Sequence, residues 1–189
     1  MKIAILGWGS LIWQPKDLDF DKELGWNKEG PNLPVEFSRV SRDKRLTLVI
    51  DPVAKEIKTL YSISTHLILK KAISNLVERE GCKVNGVGYY EKSNGTFSPD
   101  HFGWKEQIKE WIYQTDIDAV IWTNLPKNFE DKNGRPHNTQ NIVHYLESLS
   151  GDEKDSAEKY IRNTPSQIQT VVRAEIEKRL GWTAIEIKD

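Results

Sequence analysis

The sequence has little of the chemistry that cysteine and histidine supply. Among 189 residues there is one cysteine, Cys82, and there are four histidines. A single cysteine excludes a disulfide within the chain, and the scattered histidines lack the spacing of a Cys/His zinc site. No base lies near Cys82 in the sequence, so a nucleophilic role is not predicted for it. The sequence therefore predicts neither a disulfide within the chain nor a Cys/His zinc site.

Long hydrophobic runs and excess charge of one sign are also missing. No stretch stays apolar for the ~18 residues that a membrane-spanning helix needs, and the apolar run at residues 1–6 is too short for a signal sequence. The formal net charge is -1, so the total points to no polyanionic partner. A basic run, Arg39 to Arg45, is interpreted as a solvated face. We expect a cytoplasmic protein without a membrane or nucleic-acid partner, and nothing in the sequence indicates its oligomeric state.

The order of the predicted elements indicates an α+β fold. β-rich runs predict strands over residues 3–6, 35–41, 46–50, 58–64, 86–91, 118–122 and 183–187. Helical spacing predicts helices over residues 66–80, 104–114, 139–149, 153–162 and 166–180. Glycines and prolines in residues 14–34 predict a long irregular loop, either a lid or a crossover. Consecutive strands between Val35 and Ser64 argue against a doubly wound sheet.

The composition changes near Leu125, and mostly helical sequence follows. No repeat or low-complexity linker interrupts the chain, so residues 1–189 are predicted to form a single domain. Its core covers residues 1–125, and a helical extension over residues 136–181 packs on it because the connections are short. Arg162 and Arg173 in this region can pair with nearby glutamates. His137 and His144 are interpreted as surface or capping residues rather than ligands.

A glycine turn follows the first predicted strand at Gly7-Trp8-Gly9-Ser10. Glycine tolerates positive φ and lets other atoms approach the backbone closely, and successive N–H groups in such a turn can bind a carboxylate or phosphate. The third glycine of a dinucleotide-binding fingerprint and the Gly-Lys-Ser/Thr of a P-loop are both missing. By itself the pattern fits an anion site or a tight turn.

Glu80 is placed by helical geometry on the apolar face of its predicted helix. At ~100° per residue, with Ile73 at zero, Leu76 falls near about -60°, Glu80 near about -20° and Glu78 near about 140°. A carboxylate on an apolar face is costly unless it is partnered or protonated. Burial and the helix dipole both favour the neutral acid, which suits proton exchange. Alternatively, the helix frays at Gly81 and Glu80 turns to solvent.

These segments resemble the γ-glutamylcyclotransferase-like proteins. Gly9-Ser10-Leu11 after a strand is similar to their Tyr-Gly-Ser-Leu/Asn loop, and residues 76–81 (Leu-Val-Glu-Arg-Glu-Gly) are similar to their helix-ending Leu-Asp-x-x-Glu-Gly segment. Residues 5–13 are especially like the ChaC-type branch, which cleaves glutathione. The resemblance covers about residues 1–125. Trp8 stands at the usual tyrosine, Val77 at a common aspartate and Thr59 at a frequent glycine.

The resemblance implies a mixed β-barrel core with flanking helices, to which this chain adds its helical C-terminal extension. It also implies an enzyme that releases 5-oxoproline from a γ-glutamyl amine or peptide. The glutamyl group would bind the loop amides of Trp8, Gly9, Ser10 and Leu11. Glu80 would be the catalytic acid/base, and neither metal nor cofactor is needed. The alternative is a non-catalytic small-molecule-binding or regulatory module that keeps the pocket.

Overall fold

The chain forms two compact units, each built from several segments. The structure is a computed structural model that describes residues 1–185. The first unit contains Met1–Gly7, Gln14–Leu33 and Lys58–Leu125, and the second contains Trp8–Trp13, Pro34–Ile57 and the chain from Pro126 onward. The last change of unit falls at Leu125, where the sequence composition changes. The single-domain organisation stays a prediction.

The secondary structure confirms most predicted elements and moves some of their ends. The strands are β1 Ile3–Gly7, β2 Asn32–Leu33, β3 Val35–Val40, β4 Leu46–Ile50, β5 Ile57–Lys58, β6 Leu60–Ile63, β7 Val87–Glu91, β8 Thr96–Ser98 and β9 Ala119–Thr123. The helices are α1 Ser10–Trp13, α2 Leu69–Glu80, α3 Lys105–Tyr113, α4 Phe129–Asn133, α5 Thr139–Ser148, α6 Gly151–Asn163 and α7 Val171–Leu180, with a 3₁₀ turn at Val84–Gly86. Of the strand predicted over 183–187, residues 183–185 are not in a strand, and the rest lie outside the described residues.

The first unit is built on a mixed five-stranded sheet with the order β6-β1-β9-β7-β8. Only β1 and β9 run parallel, and the other neighbours pair antiparallel. This confirms the α+β class. The predicted barrel is wrong for residues 1–185, because no closed barrel forms there and β6 and β8 end the sheet. The hairpin strands β3 and β4 pair with each other in a separate sheet and so add nothing to its closure.

The core of the first unit lies on both faces of its central strands. All five residues of β1 and all five of β9 are buried, and α2 packs over β7 and β9 with Ala72 and Leu76 inward. Trp122, fully buried on β9, lies so close to Gly88 that any side chain on the glycine would overlap the indole. Gly88 is therefore required by packing.

The irregular segment before β2 runs along the outer edge of β6. The backbone N–H of Asp21 donates to the Ile63 carbonyl at 2.8 Å, and Asn27 and Tyr61 exchange backbone hydrogen bonds of 2.7 and 2.9 Å. These bonds satisfy an edge that would otherwise be open. The sequence left open whether this loop is a lid or a crossover, and the structure favours neither. The loop instead covers the outer edge of β6.

The second unit is a β3–β4 hairpin packed against helices. Lys44 makes the turn in the left-handed region, at φ 59°, and the hairpin is contacted by α4, α6 and α7. α5 packs against α6 and α7. The helical character of this region was predicted, although α7 begins at Val171 instead of Ser166 and α4 was not predicted.

Candidate functional site

The glycine loop leads from β1 into α1. Trp8 is 4 % exposed, and its indole N–H donates to the Leu48 carbonyl at 3.3 Å. α1 begins at Ser10, and Leu11 is buried beneath it. The first residues of any helix have backbone N–H groups without partners inside the helix. The loop therefore has the geometry of a turn that opens a helix, whereas anion binding by it stays a prediction.

Gly9 is packed against a tyrosine from the helical extension. A side chain at position 9 would overlap the hydroxyl oxygen of Tyr160 and would lie 3.3 Å from its Cζ. Tyr160 itself is buried between the rings of Trp13 and Phe37, which meet it edge-on at centroid distances of 6.1 and 6.4 Å. Position 9 is therefore a glycine because the Tyr160 side chain lies too close to the backbone for a Cβ atom.

We expect Gly9→Ala to lower the free energy of unfolding by about 1–3 kcal/mol, because the new methyl group collides with the Tyr160 hydroxyl. In a Tyr160→Phe background the colliding oxygen is gone, and the cost of Gly9→Ala should fall below about 1 kcal/mol. Urea unfolding of the two single variants and the double variant measures this coupling. Additive effects of the two substitutions would show that Tyr160 does not restrict position 9.

Glu80 lies at the end of α2, as predicted. Gly81 ends the helix in the left-handed conformation, at φ 59°, so the helix does not fray before Glu80. The carboxylate side chain is 14 % exposed, and Oε1 accepts a 2.8 Å hydrogen bond from Nη1 of Arg79. Arg79 is 6 % exposed and also donates from Nη2 to the Gln14 carbonyl at 2.8 Å. A mostly buried carboxylate is thus held by an arginine that is itself anchored.

The predicted site residues fall in different units. Trp8, Gly9, Ser10 and Leu11 belong to the second unit, whereas Glu80 belongs to the first. The structure brings the loop residues together within one turn and places Glu80 beside Arg79. A common pocket for all five stays a prediction.

A buried polar network in the second unit was not predicted. The Ser38 hydroxyl donates to Asp51 Oδ2 at 2.7 Å, and Lys127 Nζ donates to Asp51 Oδ1 at 2.9 Å. Nε2 of His137 lies 3.0 Å from both the Ser38 hydroxyl and the Phe37 carbonyl. His137, interpreted from sequence as a surface or capping residue, instead binds the hairpin with its ring.

This network resembles a hydrolase triad in composition but not in connectivity. A carbonyl oxygen only accepts, so the bond to Phe37 requires the proton on Nε2 of His137, and that nitrogen cannot take a proton from Ser38. Ser38 directs its own proton to Asp51 and is fully buried. A triad needs a nucleophile whose proton passes to the histidine. We interpret the network as structural: it ties the segment around Lys127 and His137 to β3 and to Asp51, which follows β4.

The pKa values of the buried carboxylates Asp51 and Glu36 are shifted in opposite directions. Burial raises the pKa of Asp51, but the hydrogen bonds from Ser38 and Lys127, with the charge of Lys127, outweigh it and lower the pKa below its ordinary value. For Glu36, burial dominates, and its pKa is raised despite hydrogen bonds from Thr170 and the backbone N–H groups of Phe37 and Val172. Glu36 is 5 % exposed and accepts from the start of α7.

We expect Asp51→Asn to lower the free energy of unfolding by about 1–3 kcal/mol at pH 7, because Ser38 and Lys127 lose the ionised carboxylate to which they donate. The Asp51 pKa is lower in the folded state, so this stabilisation is present above pH ~4 and is lost as the pH falls further. Urea unfolding from pH 7 to pH 2.5 should show the difference from wild type shrinking toward zero. Glu36→Gln is the control with the opposite pH dependence. Because the Glu36 pKa is raised in the folded state, the free energy of unfolding of wild type should rise relative to this variant as the pH falls and Glu36 becomes protonated. A constant difference for Asp51→Asn would contradict the assignment.

Sequence reasoning missed Glu36, Ser38, Asp51 and Tyr160 as buried polar groups. Alternation along β3 places Glu36 and Ser38 on the face opposite Val35 and Phe37. A two-residue period of polar and apolar residues predicts that the polar face is exposed to solvent. Burial of this face depends on the helices that pack on β3, which the local pattern of the strand does not reveal. For Cys82, burial and then the charge of Glu80 raise the pKa of the thiol, which disfavours the nucleophilic thiolate form.

The described part of the chain shows neither a metal-binding cluster nor a membrane-spanning helix. No group of three or more His, Cys, Asp or Glu residues within 1–185 is arranged to hold a metal ion. No helix there has the length and apolar character to cross a membrane. Comparison of the sequence with protein-family models and with curated proteins gives no match.

Proposed function

We propose that the protein is a γ-glutamylcyclotransferase-like enzyme that releases 5-oxoproline from a γ-glutamyl amine or peptide. The observation that carries the proposal is Glu80: a carboxylate 14 % exposed, fixed at the end of α2 by a buried arginine. A carboxylate held in a fixed orientation is what a general acid/base requires.

The reaction needs one group that first accepts and then donates a proton. The neutral α-amine of the substrate attacks the γ-carbonyl and closes a five-membered lactam, and Glu80 takes the proton that this nitrogen loses. The C–N bond to the leaving amine breaks as Glu80 returns the proton to that nitrogen. Because nucleophile and carbonyl belong to one molecule, the ring closure gains from proximity and needs no second substrate.

Substrate binding is assigned to the glycine loop. Backbone N–H groups of Trp8, Gly9, Ser10 and Leu11 would hold the α-carboxylate of the glutamyl group, as turns of this kind hold anions. The side chain of Trp8 does not take part in this binding, because its indole is buried against Leu48. The leaving amine is not specified by these contacts.

The direct test is incubation of the purified protein with a panel of γ-glutamyl compounds, including glutathione and γ-glutamyl amino acids. Chromatography with mass detection should show 5-oxoproline and the free amine in equal amounts. α-Glutamyl dipeptides are the matched control, since they carry the same atoms with a different linkage. Absence of 5-oxoproline from every γ-glutamyl compound would refute the enzymatic proposal.

A second candidate, a binding module without catalysis, is favoured by one observation. The α-carbon of Gly9 faces the Tyr160 hydroxyl, so this side of the loop is covered by the protein's own helix α6. A loop closed in this way can keep its shape without turning over a substrate. Calorimetric binding of glutamate or 5-oxoproline, together with an inactive substrate panel, would support this second candidate.

A further inference from the structure

A groove runs along the outer face of α2, on the side opposite its buried residues. It has a volume of about 560 Å³ and is lined by Asp19, His66, Ile68, Lys70, Lys71, Ser74, Asn75 and Glu78. This volume is within the range of small-molecule sites, about 300–1,000 Å³. All of these residues belong to the first unit. Neither Glu80 nor the glycine loop lines this groove.

The wall of the groove opposite the helix is held in place by hydrogen bonds. Asn75 on α2 donates to the Asp17 carbonyl and accepts from the backbone N–H of Asp19, both at 2.8 Å. Asp19 Oδ2 lies 3.1 Å from Nε2 of His66, and the backbone N–H of His66 donates to the Ser64 hydroxyl. The groove is therefore preformed, and its shape does not depend on a ligand.

The charges along the groove are divided between its two ends. Lys70 and Lys71 lie in the first turn of α2, and neither forms an ion pair within residues 1–185. Glu78 lies two turns later, likewise without a cationic partner in that range. Glu78 is seven positions after Lys71, which places it about 10.5 Å further along the helix axis and within about 20° of the same face. The carboxylate of Asp19 already has a contact of its own, with Nε2 of His66 at 3.1 Å.

We propose that this groove binds a short peptide of two or three residues with both termini free. The peptide carboxylate would lie at Lys70 and Lys71, and its ammonium group at Glu78. A peptide spans at most ~3.3–3.6 Å per residue, so three residues match the separation of the two charged ends. Ile68, 55 % exposed, offers an apolar contact for a side chain beside the lysines.

The charge arrangement selects against other small ligands. A simple anion would be attracted by the lysines and repelled by the unpaired carboxylate of Glu78. A simple cation would be attracted by Glu78 and repelled by the lysines. An α-amino acid carries its two charges too close together to reach both ends. Only a molecule with opposite charges about 10 Å apart satisfies all three unpaired groups. Exposed ion pairs are individually weak, so binding should be weak and sensitive to salt.

The experiment is an NMR titration of the ¹⁵N-labelled full chain with trialanine at low ionic strength. Shifts should be confined to residues 17–19 and 66–78, and should weaken with N-acetyl-trialanine and further with N-acetyl-trialanine amide. Glu78→Gln and Lys71→Gln should each weaken trialanine binding about two- to fivefold. Both residues are exposed, so the variants should keep the wild-type spectrum elsewhere.

Matched controls are Glu110→Gln on α3 and Lys83→Gln beyond α2, two exposed charges outside the groove, which should leave the affinity unchanged. The proposal is overturned if trialanine at about 10 mM, tenfold above a Kd of about 1 mM, causes no shifts. It is equally overturned if the doubly capped peptide binds as well as the free one, or if the Glu78 and Lys71 variants bind like wild type. None of these outcomes depends on cyclotransferase activity.

Discussion

Glu80→Gln is expected to reduce turnover of the γ-glutamyl substrate by at least ~10²–10⁴-fold, the usual contribution of a general acid/base. Glutamine keeps the shape of the side chain and an oxygen that can accept from Arg79, but it cannot shuttle a proton. The loss should therefore appear in kcat, with KM little changed, because the substrate would still bind the loop amides. Initial rates of 5-oxoproline release measure both constants.

The control for this variant is Glu110→Gln, an exposed glutamate on α3, which should keep wild-type rates. Urea unfolding should show that the Glu80 variant remains folded, since Arg79 retains its bond to the Gln14 carbonyl. If wild type releases 5-oxoproline and the Glu80 variant keeps most of that activity, the proposed reaction stands but Glu80 is not its acid/base. An inactive wild type would instead favour the binding module.

Arg173→Met is expected to lower the free energy of unfolding by about 3–5 kcal/mol. Arg173 is fully buried and donates to the carbonyls of Thr164, Pro165 and Ile168 at 2.7–3.0 Å, and to Glu177 at 2.9 Å. Methionine fills much of the same volume but removes the donor that Arg173 supplies to the carbonyls of Thr164 and Ile168 and to the Glu177 carboxylate. Chemical denaturation monitored by tryptophan fluorescence measures the change.

Arg162→Met provides a control with the same local chemistry. Arg162 pairs with Glu158 at the same four-residue separation as Arg173 and Glu177, but its side chain is 38 % exposed. Exposed pairs contribute ~0–1 kcal/mol, so this variant should stay within about 1 kcal/mol of wild type. Equal effects of the two substitutions would show that the buried carbonyls around Arg173 are satisfied in another way.

Local sequence patterns predicted the helix end and the strands that are determined by residues close to one another in the sequence. Gly81 predicted the end of α2, and its left-handed φ is the reason, because a residue without Cβ adopts that conformation at little cost. The apolar runs at 3–6 and 118–122 predicted strands, which the structure confirms as the parallel pair at the sheet centre. The start of α7 was misplaced by five residues. Thr170 caps the helix by accepting from the Arg173 N–H, and helix spacing alone does not reveal which polar residue caps.

The candidate site depended less on local signals. The sequence placed Glu80 at a helix end and predicted a carboxylate that favours its neutral form. The structure gives it a charged partner in Arg79, the next residue along the chain. Adjacent helical residues point about 100° apart, so this contact requires Arg79 to fold back, which its anchor at Gln14 explains. Packing of the 14–33 segment, distant in sequence, decided that geometry.

The sequence by itself determined the α+β class, the positions of most strands and helices, and the glycine turn that follows β1. These follow from periodicity and backbone conformational preference, which act over a few residues. Only the tertiary structure decided that the sheet stays open, that Tyr160 lies against Gly9, and that Arg173 is buried while Arg162 is not. The two arginines share the same spacing to a glutamate, so nothing local separates them. Burial depends on which distant segments cover a surface, and that is settled by the packing of the whole unit.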